Sequence, residues 1–480
     1  MKTKLWSILC VLMVVSLLTI SGCSPTAVSQ QPAAAGEGEQ TAPADQPEAA
    51  ASGEEVTVTV FVGFGTGNDP SQIEIHNQMA AEYMASHPGV KVEFLHVSYD
   101  EHDAKFSTML AGDMAPDLVM PIGVLGIGKY RDEWMDLTPY IERDGYDMSD
   151  YYGPALAMHT YPDKIIGIPI GLYPSVTFYN EDLFDEAGVA YPPHEFGNAE
   201  WTYENLVETA KQLTFDGKGV PATSADFDLT NIAQWGWAGW EWSPFRMIPS
   251  KFGDSPLGIS EDMKTAKMNN QAWVDSMQFV YDTIWESGIR PSGEIVEASF
   301  SDIDPLSSNQ VAMWESYSWM AYSYGGWTEA FNWDVAAVPA NQDGLIVAEA
   351  NGDTFAIPKS AHHPDEAWEL AKWFMEPENL SRLSNSYGCI PARKSLADSW
   401  LDNMRTQYPD VDFQVFLDSI EYMDANPNNE SWVPNFQRIY DAQENAMSSI
   451  VSGTEQDVQK VMDALNAEAQ TYLDEYWAEQ

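Results

Sequence analysis

The sequence predicts an α/β fold built on a mostly parallel sheet, and three observations lead there. Strand-like and helix-like segments alternate from residue 56 onward, the first strand is a β-branched run suited to burial, and the 480 residues suffice for two or three domain-sized cores. Such alternation closes as a parallel sheet covered by helices, with right-handed crossovers.

Val56-Thr57-Val58-Thr59-Val60-Phe61-Val62 predicts the first strand, and Gly63, Gly65 and Gly67 the turn after it. Ile75, Met79 and Tyr83 fall at helical spacing, so 75–86 predicts a helix that His87-Pro88-Gly89 stops. Val90 to Val97 predicts a second strand, Asp103 to Leu110 a helix, and Asp117 to Met120 a short strand. Farther on, Glu204 to Leu213, Trp273 to Trp285, Pro364 to Met375 and Val458 to Tyr476 predict amphipathic helices. No internal repeat is evident.

Ahead of these elements lies a different kind of sequence. Lys2 and Lys4 precede an apolar run from Leu5 to Ile20, too short and wrongly flanked for a membrane span, and Ile20-Ser21-Gly22-Cys23 places small residues where a signal peptidase cuts. That tetrapeptide resembles the lipobox of bacterial lipoproteins, which implies residues 1–22 as signal peptide and lipidation at Cys23. The alternative is an ordinary signal that happens to contain a cysteine. Ser24 to Glu54 is rich in Ala, Pro, Gln, Gly and Glu and lacks aromatics, so 23–55 is expected to be a disordered tether. Its root-mean-square reach would be about 30 Å.

Composition excludes some partners. Removing Lys2 and Lys4 with the signal takes the net charge from −50 to −52, so no basic stripe exists for nucleic acid and none is expected as a partner. The acidity itself reads as a solvated surface. Of three cysteines only Cys389 lies in the folded part, so no internal disulfide can form. Gly388-Cys389-Ile390-Pro391 reads as a loop beside buried surface. Gly-X-Ser-X-Gly, His-Glu-X-X-His, Walker and EF-hand patterns are absent, and His362-His363 has no further ligand at metal spacing. No cofactor, metal or catalytic residue is expected.

A set of short segments in fixed order carries a family resemblance. Ala115-Pro116-Asp117-Leu118-Val119, Asp136-Leu137-Thr138-Pro139-Tyr140, Ile166-Gly167-Ile168-Pro169, Phe178 to Phe184 with Ala187-Gly188-Val189, and Trp201 to Leu213 come first. Gln310-Val311-Ala312-Met313, Ala356-Ile357-Pro358-Lys359 and Ile390 to Lys394 follow. Together they resemble the solute-binding proteins of carbohydrate-importing ABC transporters, the family of maltose-binding protein. The resemblance implies a two-lobed periplasmic-binding-protein-like fold, each lobe a mostly parallel sheet flanked by helices, joined by a multi-strand hinge and closing on a solute. It places lobe one at 56–139 plus 344–378, lobe two at 142–338 plus 380–480, and hinges near 136–141, 338–344 and 375–381. It further implies a monomer whose partners are a carbohydrate, a membrane-spanning permease and, through the lipid alone, the outer face of the cell membrane, on the periplasmic side if two membranes are present.

A sugar site needs aromatic plates for C–H faces and polar groups for hydroxyls, and the chain carries 18 tryptophans and 22 tyrosines. The resemblance puts Trp319 where the family's tryptophan stacks on sugar, with Ser316 at the preceding turn and Glu315 toward ligand or solvent. Tyr173 lies seven residues before Asn180, at a position that commonly carries a ligand side chain, with packing as the alternative. Trp235 and Trp237 would share one face of a strand, core more than site; Trp240, Glu241 and Trp242 follow Gly239 as a loop over the cleft. Asn351, Gly352 and Asp353 precede a lobe-one strand as a turn facing ligand or a plain turn. Tyr387 and Trp432 are further aromatic candidates, and Asp117 reads as structural. Pro121 to Leu125 lacks the charged residues of maltose binders, which argues against maltose. Two other readings stay open: a secreted glycoside hydrolase using paired carboxylates, and the same fold holding a peptide, polyamine or uronic acid.

Overall fold

The computed structural model describes residues 55–161, 164–239, 249–253, 258–300, 303–423 and 429–479. The signal, Cys23 and the tether up to residue 54, and the candidates Trp240, Glu241 and Trp242, lie outside them.

The first strand, β1 (Val56–Val62), pairs in parallel with β2 (Val90–His96) on one side and β3 (Leu118–Ile122) on the other. The expected helix between β1 and β2 runs Pro70–Ser86, started by Pro70 at its first position and by an Asp69 capping box. His102–Ala111 is the helix between β2 and β3. Asp117 is structural as expected: its carboxylate accepts from the Thr59 amide at 2.9 Å and from the His362 and His363 amides at 3.1 and 2.8 Å.

The organising element is β4 (Pro169–Asn180), a twelve-residue strand buried throughout. Its first half pairs antiparallel with β9 (Ala350–Ala356), which in turn pairs antiparallel with β3. Its second half pairs antiparallel with β7 (Val311–Tyr317) and β8 (Trp333–Ala336). Beyond β7 come β6 (Ile232–Gly239), parallel to it, and β5 (Phe215–Asp216). The short β10 (Ile390–Pro391) pairs with β4 at Leu172 and Gly171. Within each group most of the long strands run one way, with β9 opposed in the first and β4 and the short β5 opposed in the second. This is the two-lobed arrangement, with β4 shared by both lobes.

Helices sit where periodicity placed them. Tyr203–Leu213, capped by Thr202, packs on β6 with Leu206, Ala210 and Leu213 buried. Gln271–Tyr281 continues as a π-helical turn over Asp282–Glu286, and packs with Phe436–Val451 and Val458–Ala478. Pro364–Phe374 packs on β3, and Pro377–Tyr387 on the helix Pro70–Ser86. Residues 375–381 thus form the corner between two helices of the first lobe, while 338–344 connect β8 to β9. Trp235 and Trp237 are 6% and 0% exposed, the core placement expected of them. Among the described residues no helix is long and apolar enough to cross a membrane.

Candidate ligand site

Register brings four of the expected residues to the junction of β4, β7 and β9. Tyr173 on β4 lies opposite Asn351 on β9, and Gly171 opposite Asp353, so Asn351 and Asp353 share the face that carries Tyr173. The Tyr173 hydroxyl donates to Asp353 Oδ2 at 3.2 Å and lies 3.5 Å from Thr66 Oγ1 on the loop after β1. Trp319 follows β7 in a short 3-10 turn, Ser318–Met320. Its ring meets the edge of Tyr173 at 5.7 Å and stacks on Tyr317 at 3.9 Å with 25° between planes. Tyr317 is buried, Trp319 only partly so; the pair is a fixed aromatic plate with its outer ring open.

Burial controls the electrostatics. Asp353 is 7% exposed, and burial pushes its carboxyl up to about 7, the Tyr173 hydrogen bond opposing only in part. The same burial, with Asp353 nearby, drives the Tyr173 phenol well above its ordinary value. Small residues wall the carboxylate closely: a β-carbon at Gly65 would sit 3.4 Å from Oδ2, and one at Gly123 3.1 Å from Oδ1. Gly171 makes room from beneath, since a β-carbon there would fall 2.2 Å from Cys389 Sγ. Cys389 is buried, its thiol pushed up to about 12 by burial, so it forms inert floor.

Other expected residues are held elsewhere. Gly352 lies on the opposite face of β9, where a β-carbon would meet Met158 Sδ at 2.2 Å. Ser316 pairs with Val176, one step from the Trp314–Phe178 pair, and shares their buried face. Glu315 does not face solvent: it forms a buried ion pair with Lys251 at 2.6 Å and accepts from Tyr203 at 3.3 Å. Tyr387 is 1% exposed, its hydroxyl 2.5 Å from His76 Nε2 while His76 Nδ1 lies 2.9 Å from His96 Nε2. Burial, helped by His96, lowers His76 to about 3, which keeps this chain of rings uncharged. Trp432 stands with Tyr161, 5.5 Å away, and its carbonyl accepts from Arg131 at 2.6 Å; it packs on the Phe61–Phe106 cluster of lobe one.

Sequence reasoning passed over Tyr317, Thr66 and Tyr99. Tyr317 was readable as the i−2 neighbour of Trp319, on the same strand face as Glu315. Tyr99, after β2, is 48% exposed, yet burial and the charges of Asp103 and Asp353 raise its phenol. A groove of about 680 Å³ lined by Val207, Phe227, Phe279 and Glu286 lies on lobe two, away from all these groups.

Among the described residues the arrangement offers an aromatic plate with a buried acceptor beside it. The ABC substrate-binding protein Lmo0181 of Listeria monocytogenes, solved in complex with cycloalternan, is similar with a TM-score of 0.71 at 21% identity, covering 88% of this chain and 100% of that one. The cyclic α-maltosyl-1,6-maltose binding protein of Arthrobacter globiformis gives 0.68 at 20% identity, with 88% and 100% covered. In sequence, a binding protein of Brucella abortus is 21% identical over 378 residues, 77% of this chain and 83% of that protein. An uncharacterized lipoprotein in the oleD 5′ region of Streptomyces antibioticus is 22% identical over 351 residues, 70% of this chain and 71% of that protein. Residues 69–380 match the family described as bacterial extracellular solute-binding protein, and the chain belongs to that family of binders.

Proposed function

We propose that this chain captures a sugar or oligosaccharide between its lobes, closes on it and delivers it to the membrane-spanning permease of an ABC importer. A lipid on Cys23 holds it, as a monomer, at the outer face of the cell membrane, so that capture and delivery occur in one thin layer. The observation that carries the sugar reading is the half-open Tyr317–Trp319 plate, seated against Tyr173 beside the buried Asp353 carboxylate, with which no described cation pairs. A pyranose has an apolar C–H face for the ring and hydroxyl donors for the acid. Two solved relatives, one in complex with cycloalternan and one named for cyclic α-maltosyl-1,6-maltose, support the same class. The hydrolase alternative falls with the family assignment.

Closure turns about β4 together with the segments near 136–141 and 338–344. The third crossing we place at β10, not at 375–381, because both helices flanking 375–381 pack within the first lobe. The test is a thermal-shift panel of neutral sugars, amino sugars, polyamines and peptides. A saccharide hit raises the melting temperature by mass action, with the sugar recovered intact. Stabilisation by peptides or polyamines alone would sink the sugar reading.

A further inference from the structure

We propose that the solute is an amino sugar, whose ring lies on the Tyr317–Trp319 plate and whose ammonium group is held by the Asp353 carboxylate. This rests on the sugar reading of the site and narrows it. Asp353 is more than nine-tenths buried and makes one side-chain hydrogen bond, from a neutral phenol. No lysine, arginine or histidine among the described residues pairs with it. The titratable groups that feel its charge are Tyr173 beside it on β4, Tyr99 on the loop after β2, Tyr387 at the end of its helix, and Cys389 ahead of β10. All four are acids, raised by burial and thereby kept neutral. Among the described residues no cation therefore balances this carboxylate, and the −50 charge of the chain deepens the same-sign field.

A neutral hydroxyl would satisfy one lone pair and leave that charge unbalanced in a poorly solvated place. An ammonium donates and neutralises at once, and charge-assisted hydrogen bonds are about twice as strong as neutral ones. Gly65 and Gly123 border the two carboxylate oxygens without adding a side chain there, and Tyr173 links them to the plate, touching Asp353 with its hydroxyl and Trp319 with its ring. A metal ion fits less well: among the described residues no three side chains gather at ligand spacing. A bare polyamine would use the carboxylate and leave the plate idle.

Isothermal titration of the purified full chain at pH 7 tests this. The probes are glucosamine and galactosamine, their neutral parents and their N-acetyl derivatives, each as mono- and disaccharide, with spermidine as control. The expected result is at least tenfold tighter binding of an amino sugar than of its neutral parent. Asp353→Asn should shrink that ratio to within about twofold, while Trp319→Ala weakens both alike. Equal affinity for amine and parent, or a preference unchanged in Asp353→Asn, overturns the inference and leaves the sugar reading standing. Binding of spermidine with no saccharide, or of nothing in the panel, removes both.

Discussion

Replacing Asp353 by Asn should stabilise the empty protein at neutral pH while weakening its hold on ligand. A carboxyl raised from 3.8 to about 7 carries roughly 4 kcal/mol of penalty on its ionised form. The sign follows from proton counting: between about pH 4 and pH 7 the folded chain binds the proton and the unfolded chain does not. Stability therefore falls as pH rises through that window, and the full penalty is present above it. Asn cannot ionise, so the pH-dependent loss disappears. Its new amide N–H group needs an acceptor, and an unmet one costs about 1–3 kcal/mol. The net expectation is a gain of about 1–3 kcal/mol at pH 7.5, shrinking to nothing or reversing at pH 4.5. Urea midpoints of both proteins at the two pH values measure it, and taking the difference between proteins cancels the other titrating groups. A variant less stable than the parent at pH 7.5, or a difference that ignores pH, would refute a buried, uncompensated carboxylate at this position.

Trp319→Ala should weaken sugar binding more than tenfold, read by titration, with the circular dichroism of the fold unchanged; equal affinity would remove the ring from the site. Lys251→Met leaves Glu315 buried without its cation and frees the Val347 carbonyl, so it should cost about 3–5 kcal/mol in urea unfolding. Adding Glu315→Gln should recover part of that loss. His194 bridges Asp334 at 2.9 Å and Asp412 at 3.2 Å, and the Asp334 hydrogen bond raises its pKa above 6.5. Its contribution is therefore complete below pH 6.5 and lost as pH climbs through the raised value, so the melting-temperature advantage of wild type over His194→Gln should shrink between pH 5.5 and pH 8.5. A constant advantage would show that His194 acts by packing alone.

The outer strands were legible because they obey local rules. Val56–Val62 declares itself by β-branching, and the helix Tyr203–Leu213 by its cap and its spacing of buried residues. The element that organises the molecule was not legible in the same way. Pro-Ile-Gly-Leu-Tyr-Pro-Ser-Val-Thr-Phe-Tyr-Asn has two prolines, a glycine and no alternation, which locally argues against a long strand. It is one because both faces are buried and different partners pair with its two halves, which are tertiary facts. The site divides along the same line. Trp319 and Tyr173 could be found through resemblance, and Asp353 as part of a polar triplet, but strand parity decides that Asp353 and Asn351 face Tyr173 while Gly352 faces Met158. Glu315 shows the limit most plainly: sequence offered ligand or solvent, and Lys251, 64 residues earlier in the chain, took it instead.

The division of labour around β4 explains how a binding protein can be both mobile and selective. Asp353 is fixed to Tyr173 through the β9 ladder, and the Tyr317–Trp319 plate through the β7 ladder, so acceptor and plate are registered to one strand common to both lobes. On the proposed reading, the base of the site keeps its shape as the lobes turn, and the ordering cost of binding falls on the loops that would close over it. Thr66 and Tyr99 belong to those loops, following β1 and β2 in the first lobe. The buried carboxylate then has a thermodynamic role beyond contact. It penalises the empty folded state, so on the proposed reading a ligand that satisfies it would return that energy only when bound, and affinity would be drawn from the same interaction that lowers the stability of the unliganded chain.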